Sequence, residues 1–242
     1  MIRDINGMGG GFNKLLLLRN GNLLSGDDKG KVKIWNTNTY SLIKILSWRN
    51  SKVWTLAELS NGYLASGDNG GVVYILDPTS NLYPMVRIIR AHNTAVRSLA
   101  VLRNGNLASG SFKEIKIWNV NDGSLVRTIA AHTDQVKSLL VLRDGFLASG
   151  SGYYDGTIKI WNTDNGVLIK TLDNFHSVDS LVLLPNGLFA STFYLDVRIW
   201  NIDTSSLVKV LTGHSNWVWS LTALENGNLV SADADGVVKI WN

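Results

Sequence analysis

Apolar and β-branched residues fall along this chain in short runs broken by turn residues. In residues 136–172 the runs VKSLLVL, FLASGS, TIKIWN and LIKTL follow one another, which is the pattern of four β-strands separated by turns. We letter the strands of such a unit a to d. Between a and b stand Asn20-Gly21, Asn61-Gly62, Asn104-Gly105, Asp144-Gly145, Asn186-Gly187 and Asn226-Gly227, pairs that tolerate the positive φ of a tight hairpin.

The pattern repeats. LRNGNLASGS at 102–111 returns as LRDGFLASGS at 142–151, and the position after strand c is marked by Trp35, Leu76, Trp118, Trp161, Trp200 and Trp241, at intervals of 41, 42, 43, 39 and 41 residues. Six four-stranded units account for the chain. A lone sheet of this kind cannot bury both faces, so successive units must stack, and closure into a ring lets the first and last do so too.

These residues resemble the WD-repeat (WD40) family, whose unit of about 40 residues carries Gly-His before strand a and Trp-Asp after strand c. Here Trp-Asp appears as Trp-Asn, and Gly-His as Gly213-His214 or as Ala-His at His92 and His132. The resemblance implies an all-β, six-bladed β-propeller of four-stranded antiparallel blades, a single domain over residues 1–242. Residues 1–22 align without gaps on 125–146, which puts Met1 to Ile5 in the place of a strand d. That strand is expected to complete the last blade and close the ring.

The resemblance also implies a buried hydrogen-bond chain from a turn Asp through the His and a strand-b Ser to the Trp indole, which can only donate and so needs an acceptor. Matching sets are His132, Ser149, Asp155 and Trp161 in the fourth unit and His214, Ser231, Asp235 and Trp241 in the sixth. The third keeps His92, Ser109 and Trp118. The fifth keeps Ser191 and Trp200, with His176 displaced by two residues. The second has Arg49 and Leu76 at the His and Trp positions.

A Ser, a His and an Asp together also fit a hydrolase, but an active site occurs once, whereas this constellation recurs. Gly9-Gly10-Gly11 is not followed by Gly-Lys-Ser/Thr, and no His-Glu-x-x-His occurs, so neither a phosphate loop nor that zinc motif is present. The four histidines fall in four repeats and there is no cysteine; no metal and no cofactor is expected, and no disulfide. Strands a carry only Glu58 and Asp179 as acids, too few for paired carboxylates.

Composition agrees with one globular domain: 45% of the 242 residues are hydrophobic, the 23 glycines are spread evenly, and only three prolines occur. The amino terminus lacks the apolar core of a signal peptide and no run reaches the roughly 20 residues of a membrane span. A soluble protein of the cytoplasm or nucleus is expected. The net charge of +4 raises nucleic acid as a partner, but eleven of the 23 Lys and Arg recur at two repeat positions, among them Lys33, Lys116, Lys159, Arg87, Arg127 and Lys170. Such even spacing fits solvated outer strands and charged edges and not a nucleic-acid face, which needs clustering.

In the resembling family, partners bind one face of the propeller through residues flanking the start of strand a. Those flanks include Lys52 and Trp54, Arg97, Lys137, Asp179, and Trp217 and Trp219, an aromatic and basic set suited to interface hot spots. A second aromatic set, Phe112, Tyr153, Tyr154, Phe193 and Tyr194, falls in b-to-c turns. The expected function is a monomeric, non-enzymatic scaffold for a protein or a short peptide, acidic or phosphorylated, read by Lys52, Arg97, Lys137 and the tryptophans, with Trp54, Trp217 and Trp219 as walls around Gly9 to Gly11. The alternative is a recently amplified, excised or engineered propeller without an evolved ligand. A hydrolase ranks third.

Overall fold

The computed structural model describes residues 11–242 apart from Arg49 and Tyr83; the expected strand at Met1 to Ile5 lies outside them. The described residues hold strands and turns and no helix. They pack as two compact units, the described parts of Met1–Ser111 with Lys116–Val126, and Phe112–Ile115 with Arg127–Asn242.

In the first unit, β1 (Phe12–Leu17), β2 (Leu23–Asp27), β3 (Lys31–Trp35) and β4 (Leu42–Trp48) make one four-stranded antiparallel sheet, and β5 (Val53–Glu58), β6 (Leu64–Asp68), β7 (Val72–Leu76) and β8 (Met85–Arg90) make another. β9 (Ser98–Val101) pairs with β10 (Leu107–Gly110). β11 (Phe112–Trp118) and β12 (Leu125–Val141) carry residues of both units. In the second unit β12 continues into β13 (Leu147–Ser151), β14 (Thr157–Trp161) and β15 (Leu168–Asp173). A four-stranded sheet of β16 (Leu181–Leu183), β17 (Phe189–Phe193), β18 (Asp196–Asn201) and β19 (Ser206–Leu211) follows, then a three-stranded one of β20 (Val218–Ala223), β21 (Leu229–Asp233) and β22 (Val238–Trp241).

The described strands therefore do not resolve into six separate four-stranded blades. The 17-residue β12 runs through the places of both the third repeat's strand d and the fourth repeat's strand a. No positive-φ residue interrupts it, whereas Phe175 at φ 60° and Gly213 at φ 145° break the corresponding segments of the fifth and sixth repeats. The six a-to-b turns behave alike, with φ between 82° and 94° at Gly21, Gly62, Gly105, Gly145, Gly187 and Gly227.

Each core cluster draws on two successive repeats. In the first unit Leu24, Val32 and Leu46 pack with Leu56, Leu64 and Leu76, and Ala65, Val73 and Ile75 with Val96, Leu107 and Trp118. In the second, Ile158 and Ile160 pack with Phe189 and Trp200, and Val197 and Ile199 with Val218 and Leu229. The strand-b glycine lets the repeats approach: a Cβ at Gly67 would lie 2.7 Å from both Thr55 Cγ2 and Val96 Cγ1.

The periodic cations have a different role from the one their spacing predicts. Four strand-d residues reach the c-to-d turn of the following repeat, whereas Lys209 is exposed. Lys44 Nζ donates to the Pro78 and Ser80 carbonyls, Arg87 to those of Asp122 and Asn121 at 2.7 and 2.6 Å, Arg127 to Asn165 and Asp164, and Lys170 to Ile202 and Asp203. Strand-c cations reach the d-to-a segment that leads into their own repeat, Lys116 to the Ala91 carbonyl, Lys159 to that of Ala131 and Arg198 to that of Asn174. Carbonyls at turn ends lack ladder partners and must be satisfied somehow, and these seven of the 23 Lys and Arg do so here.

Candidate functional site

Strand a meets strand b with a shift of register near its start. The shift falls between Val53 and Thr55, between Val136 and Ser138, and between Val218 and Ser220, so the extra residues are Trp54, Lys137 and Trp219. A bulge leaves its extra residue out of the ladder and re-aims its side chain. That is the local reason these expected binding residues leave the sheet's alternation.

In the first unit Lys52, Trp54 and Arg97 come together. The Trp54 indole donates to Asn69 Oδ1 at 3.0 Å, and its ring carries Lys52 Nζ 4.1 Å and Arg97 Cζ 3.9 Å from its centroid. Two cations over one indole form a cation–π stack.

In the second unit Lys137 and Asp179 pair with each other, Nζ to Oδ1 at 2.7 Å, which occupies the lysine expected to meet an acidic ligand. Trp217 and Trp219 remain 50% and 58% exposed. The Trp217 ring stands 5.9 Å from Tyr194 and 6.2 Å from His176. Of the glycines expected between these tryptophans, Gly11 is exposed, and Gly9 and Gly10 lie outside the described residues.

The hydrogen-bond chain of the fourth repeat runs unbroken. Trp161 Nε1–H donates to Ser149 Oγ at 2.8 Å, Ser149 faces His132 Nε2 at 2.7 Å, and His132 Nδ1 meets Asp155 Oδ1 at 2.9 Å. Burial lowers the pKa of His132 against the pull of Asp155, so the ring is neutral near pH 7 and the network assigns its proton to Nδ1. For Asp155 burial pushes the carboxyl up, but the hydrogen bonds from Thr157, the Thr133 amide and His132 outweigh it and hold the group well below the usual carboxylate range.

The sixth repeat corrects one assignment. His214 Nε2 meets Ser231 Oγ at 2.6 Å and Trp241 donates to Ser231 at 2.8 Å, but the acid on His214 Nδ1 is Asp233, at 2.7 Å, and not Asp235. Asp235 instead accepts from Asn216 at 2.8 Å. Asp233 sits on strand b two residues after Ser231, where it also takes the Asp235 and Val237 amides. The same position holds Asp27, 3.2 Å from Lys33 Nζ, and Asp68, 3.4 Å from the Tyr74 hydroxyl. The second repeat, with Leu76 fully buried in place of the Trp, thus keeps a tyrosine-to-aspartate bond.

His92, Ser109 and Trp118 repeat the chain at 2.7 and 2.9 Å. In the fifth repeat the His place belongs to Asn174 and not to the displaced His176. Trp200 donates to Ser191 at 2.8 Å, and Ser191 to Asn174 Oδ1 at 3.1 Å. The constant 17-residue step from His to Ser in the other repeats, applied back from Ser191, marks this residue.

Ser109, Ser149, Ser191 and Ser231 are fully buried, each already accepting an indole proton, so none presents a nucleophile to solvent. Among the described residues no three His, Cys, Asp or Glu side chains converge as a metal site, and no helix is long and apolar enough to cross a membrane. A shallow cleft in the first unit is lined by Asn61, Asn104, Asn106, Asn119 and Asn121 among others and has no titratable side chain.

The family model "WD domain, G-beta repeat" matches residues 84–119, 123–162 and 205–242. A "Non-functional target of rapamycin complex subunit LST8-2" of Arabidopsis thaliana is 44% identical over 48 residues, 19% of this chain and 15% of that protein. A chain in a crystal structure of the mitotic checkpoint complex superposes with a TM-score of 0.90 at 22% identity, over 98% of this chain and 79% of that one. The computationally designed Ika8 protein superposes with a TM-score of 0.76 at 26% identity, over 95% and 70%. The indole-to-serine bond recurs at Trp35, Trp118, Trp161, Trp200 and Trp241, and the three stretches that match the family model are WD (WD40) repeats.

Proposed function

We propose that this chain is a non-enzymatic scaffold that binds a protein or short peptide on the face carrying the bulged starts of its strands a. The carrying observation is that Trp217 and Trp219 stand half exposed where the repeat has no need of them. Exposed indoles are costly in a monomer and are the residues that dominate interface energies. A second contribution comes from the Lys52–Trp54–Arg97 stack, which presents two held cations to an acidic or phosphorylated group. Lys137 serves by fixing Asp179.

The reading includes a single ring of six blades over residues 1–242; the strand expected at Met1 to Ile5 lies outside the described residues. It is supported by the six-fold period, by the extent of the match to solved propeller-like chains, and by β22, where Val238 and Ile240 are 61% and 62% exposed. Their counterparts on β14, Ile158 and Ile160, are buried against Phe189 and Trp200 of the following repeat. Two of the similar proteins carry names of multiprotein complexes, which favours a protein partner within the cell.

The near identity of the repeats favours the other reading, an amplified propeller without a ligand. Against it stand the departures from the repeat at Trp54, Trp217 and Trp219. Affinity capture with the wild-type chain and with Trp217→Ala/Trp219→Ala, both confirmed folded, separates the two. A partner whose affinity falls by about 2 kcal/mol or more in the variant supports the scaffold; a partner indifferent to both substitutions overturns this face as the site.

A further inference from the structure

His176 lies at the middle of an aromatic cluster in the second unit. Its ring stands 5.0 Å from Tyr153, 5.2 Å from Tyr194, 5.8 Å from Phe193 and 6.2 Å from Trp217. Nδ1 is buried without a hydrogen-bond partner, unlike the histidines of the structural networks. Two members of the neighbourhood hold left-handed backbone, Phe175 at φ 60° and Tyr194 at φ 50°, a conformation that side chains of this size rarely adopt and that marks sites where the surroundings over-determine the chain.

The charges facing the ring are Asp179 from its own segment, Lys137 from β12 and Arg198 from β18, with the phenols of Tyr153 and Tyr194 beside it. Arg198 already stacks on Phe193, Cζ 3.4 Å from the ring centroid, and Asp179 is held by Lys137. A proton on His176 would thus meet two cations and an acid whose charge is already shared.

We propose that His176 is a proton-sensitive pivot of this aromatic surface: neutral, it holds Tyr153, Phe193, Tyr194 and Trp217 together, and protonated, it leaves the cluster and the surface loses its packed form. Burial, helped by Lys137 and Arg198 and opposed by Asp179, lowers the ring's pKa below the ordinary 6.5, so the packed form is present at neutral pH and is lost as pH falls through that lowered value. The attraction of a cation to aromatic faces opposes the change but does not offset burial beside like charges. The consequence for binding rests on Trp217 being part of the partner face; the switch itself needs no partner.

The test follows the tryptophan fluorescence of the intact chain from about pH 7.5 to 5, the range in which histidine titrates, with circular dichroism as a check on folding. The expected result is a reversible step with a midpoint below 6.5, absent from His176→Gln and from Trp217→Phe. No step in the wild type, a midpoint at or above 6.5, or a step that survives His176→Gln overturns the proposal. Should His176→Gln not fold, the NMR titration of the wild-type His176 ring decides: Trp217 and Tyr194 signals moving with the ring support the switch, and unmoved ones sink it. Loss of partner capture on mutating Trp217 is measured separately, so a failed switch and a failed binding face remain distinguishable.

Discussion

Asp233 Oδ2 lies 2.7 Å from His214 Nδ1, both side chains fully buried, while Asp235 two residues later bonds Asn216 instead. His214→Ala removes the acceptor of Ser231 and leaves the Asp233 carboxylate without its buried partner, which should cost about 1–3 kcal/mol for each unsatisfied group. Asp233→Asn should lower the melting temperature and Asp235→Asn should leave it nearly unchanged. Equal effects from the two aspartates would return the assignment to Asp235.

The fourth repeat gives the acid limb of the stability curve. Because the folded pKa of Asp155 is depressed, its contribution is fully present above the ordinary carboxylate value and is lost as pH falls below it. Asp155→Asn should therefore flatten the dependence of melting temperature on pH below about pH 4, while lowering it near pH 7. A variant with the wild-type slope there would show that another carboxylate governs acid unfolding.

What was legible in the sequence was the part dictated by period. The Trp marker, the Asn-Gly turns and the His-to-Ser step recur because every repeat faces the same stacking problem, so the tetrad His132, Ser149, Asp155 and Trp161 could be written down from spacing and family resemblance. Asp235 was misplaced because a turn aspartate and a strand-b aspartate two residues apart both fit the pattern, and only the direction of the side chain separates them. The periodic cations were read as solvated because period reports where a residue recurs and not what its far end touches. Lys137 and Asp179 were each visible as flanks, but their pairing joins residues 42 positions apart, which no local pattern encodes.

The staple between repeats is testable at Arg87, whose guanidinium donates to the Asn121 and Asp122 carbonyls. Arg87→Met keeps much of the stem and removes the donors, and should destabilise the chain by about 1.5–3 kcal/mol, the range for hydrogen bonds from charged groups. Chemical denaturation reads this directly. A solvated edge charge would give a change within about 0.5 kcal/mol, and that outcome would restore the simpler reading of the basic residues.

Close approach at Gly67 makes a different demand. A methyl group there meets Thr55 and Val96 at 2.7 Å, and both belong to packed segments that cannot yield without opening the contact between the second and third repeats. Gly67→Ala should cost about 1–3 kcal/mol, as overpacking does, and Gly67→Ala with Val96→Ala should recover part of the loss. Additive losses in the double variant would mean the two side chains do not compete for the same space.

Trp54 and Trp219 occupy the same bulge position in two repeats, yet their surroundings differ. Trp54 spends its indole proton on Asn69 and its ring on Lys52 and Arg97, whereas Trp219 is 58% exposed. Trp54→Ala should therefore lower stability, because the half-buried ring's contacts with Lys52 and Arg97 and its hydrogen bond to Asn69 are lost together. Trp219→Ala should leave the melting temperature nearly unchanged and weaken partner binding by about 2 kcal/mol or more, the scale of an interface hot spot. Thermal melts of the two variants beside titration calorimetry with the captured partner make the comparison. If Trp219→Ala destabilises the fold as much as Trp54→Ala does, the exposed indole is a packing residue and the binding face must lie elsewhere.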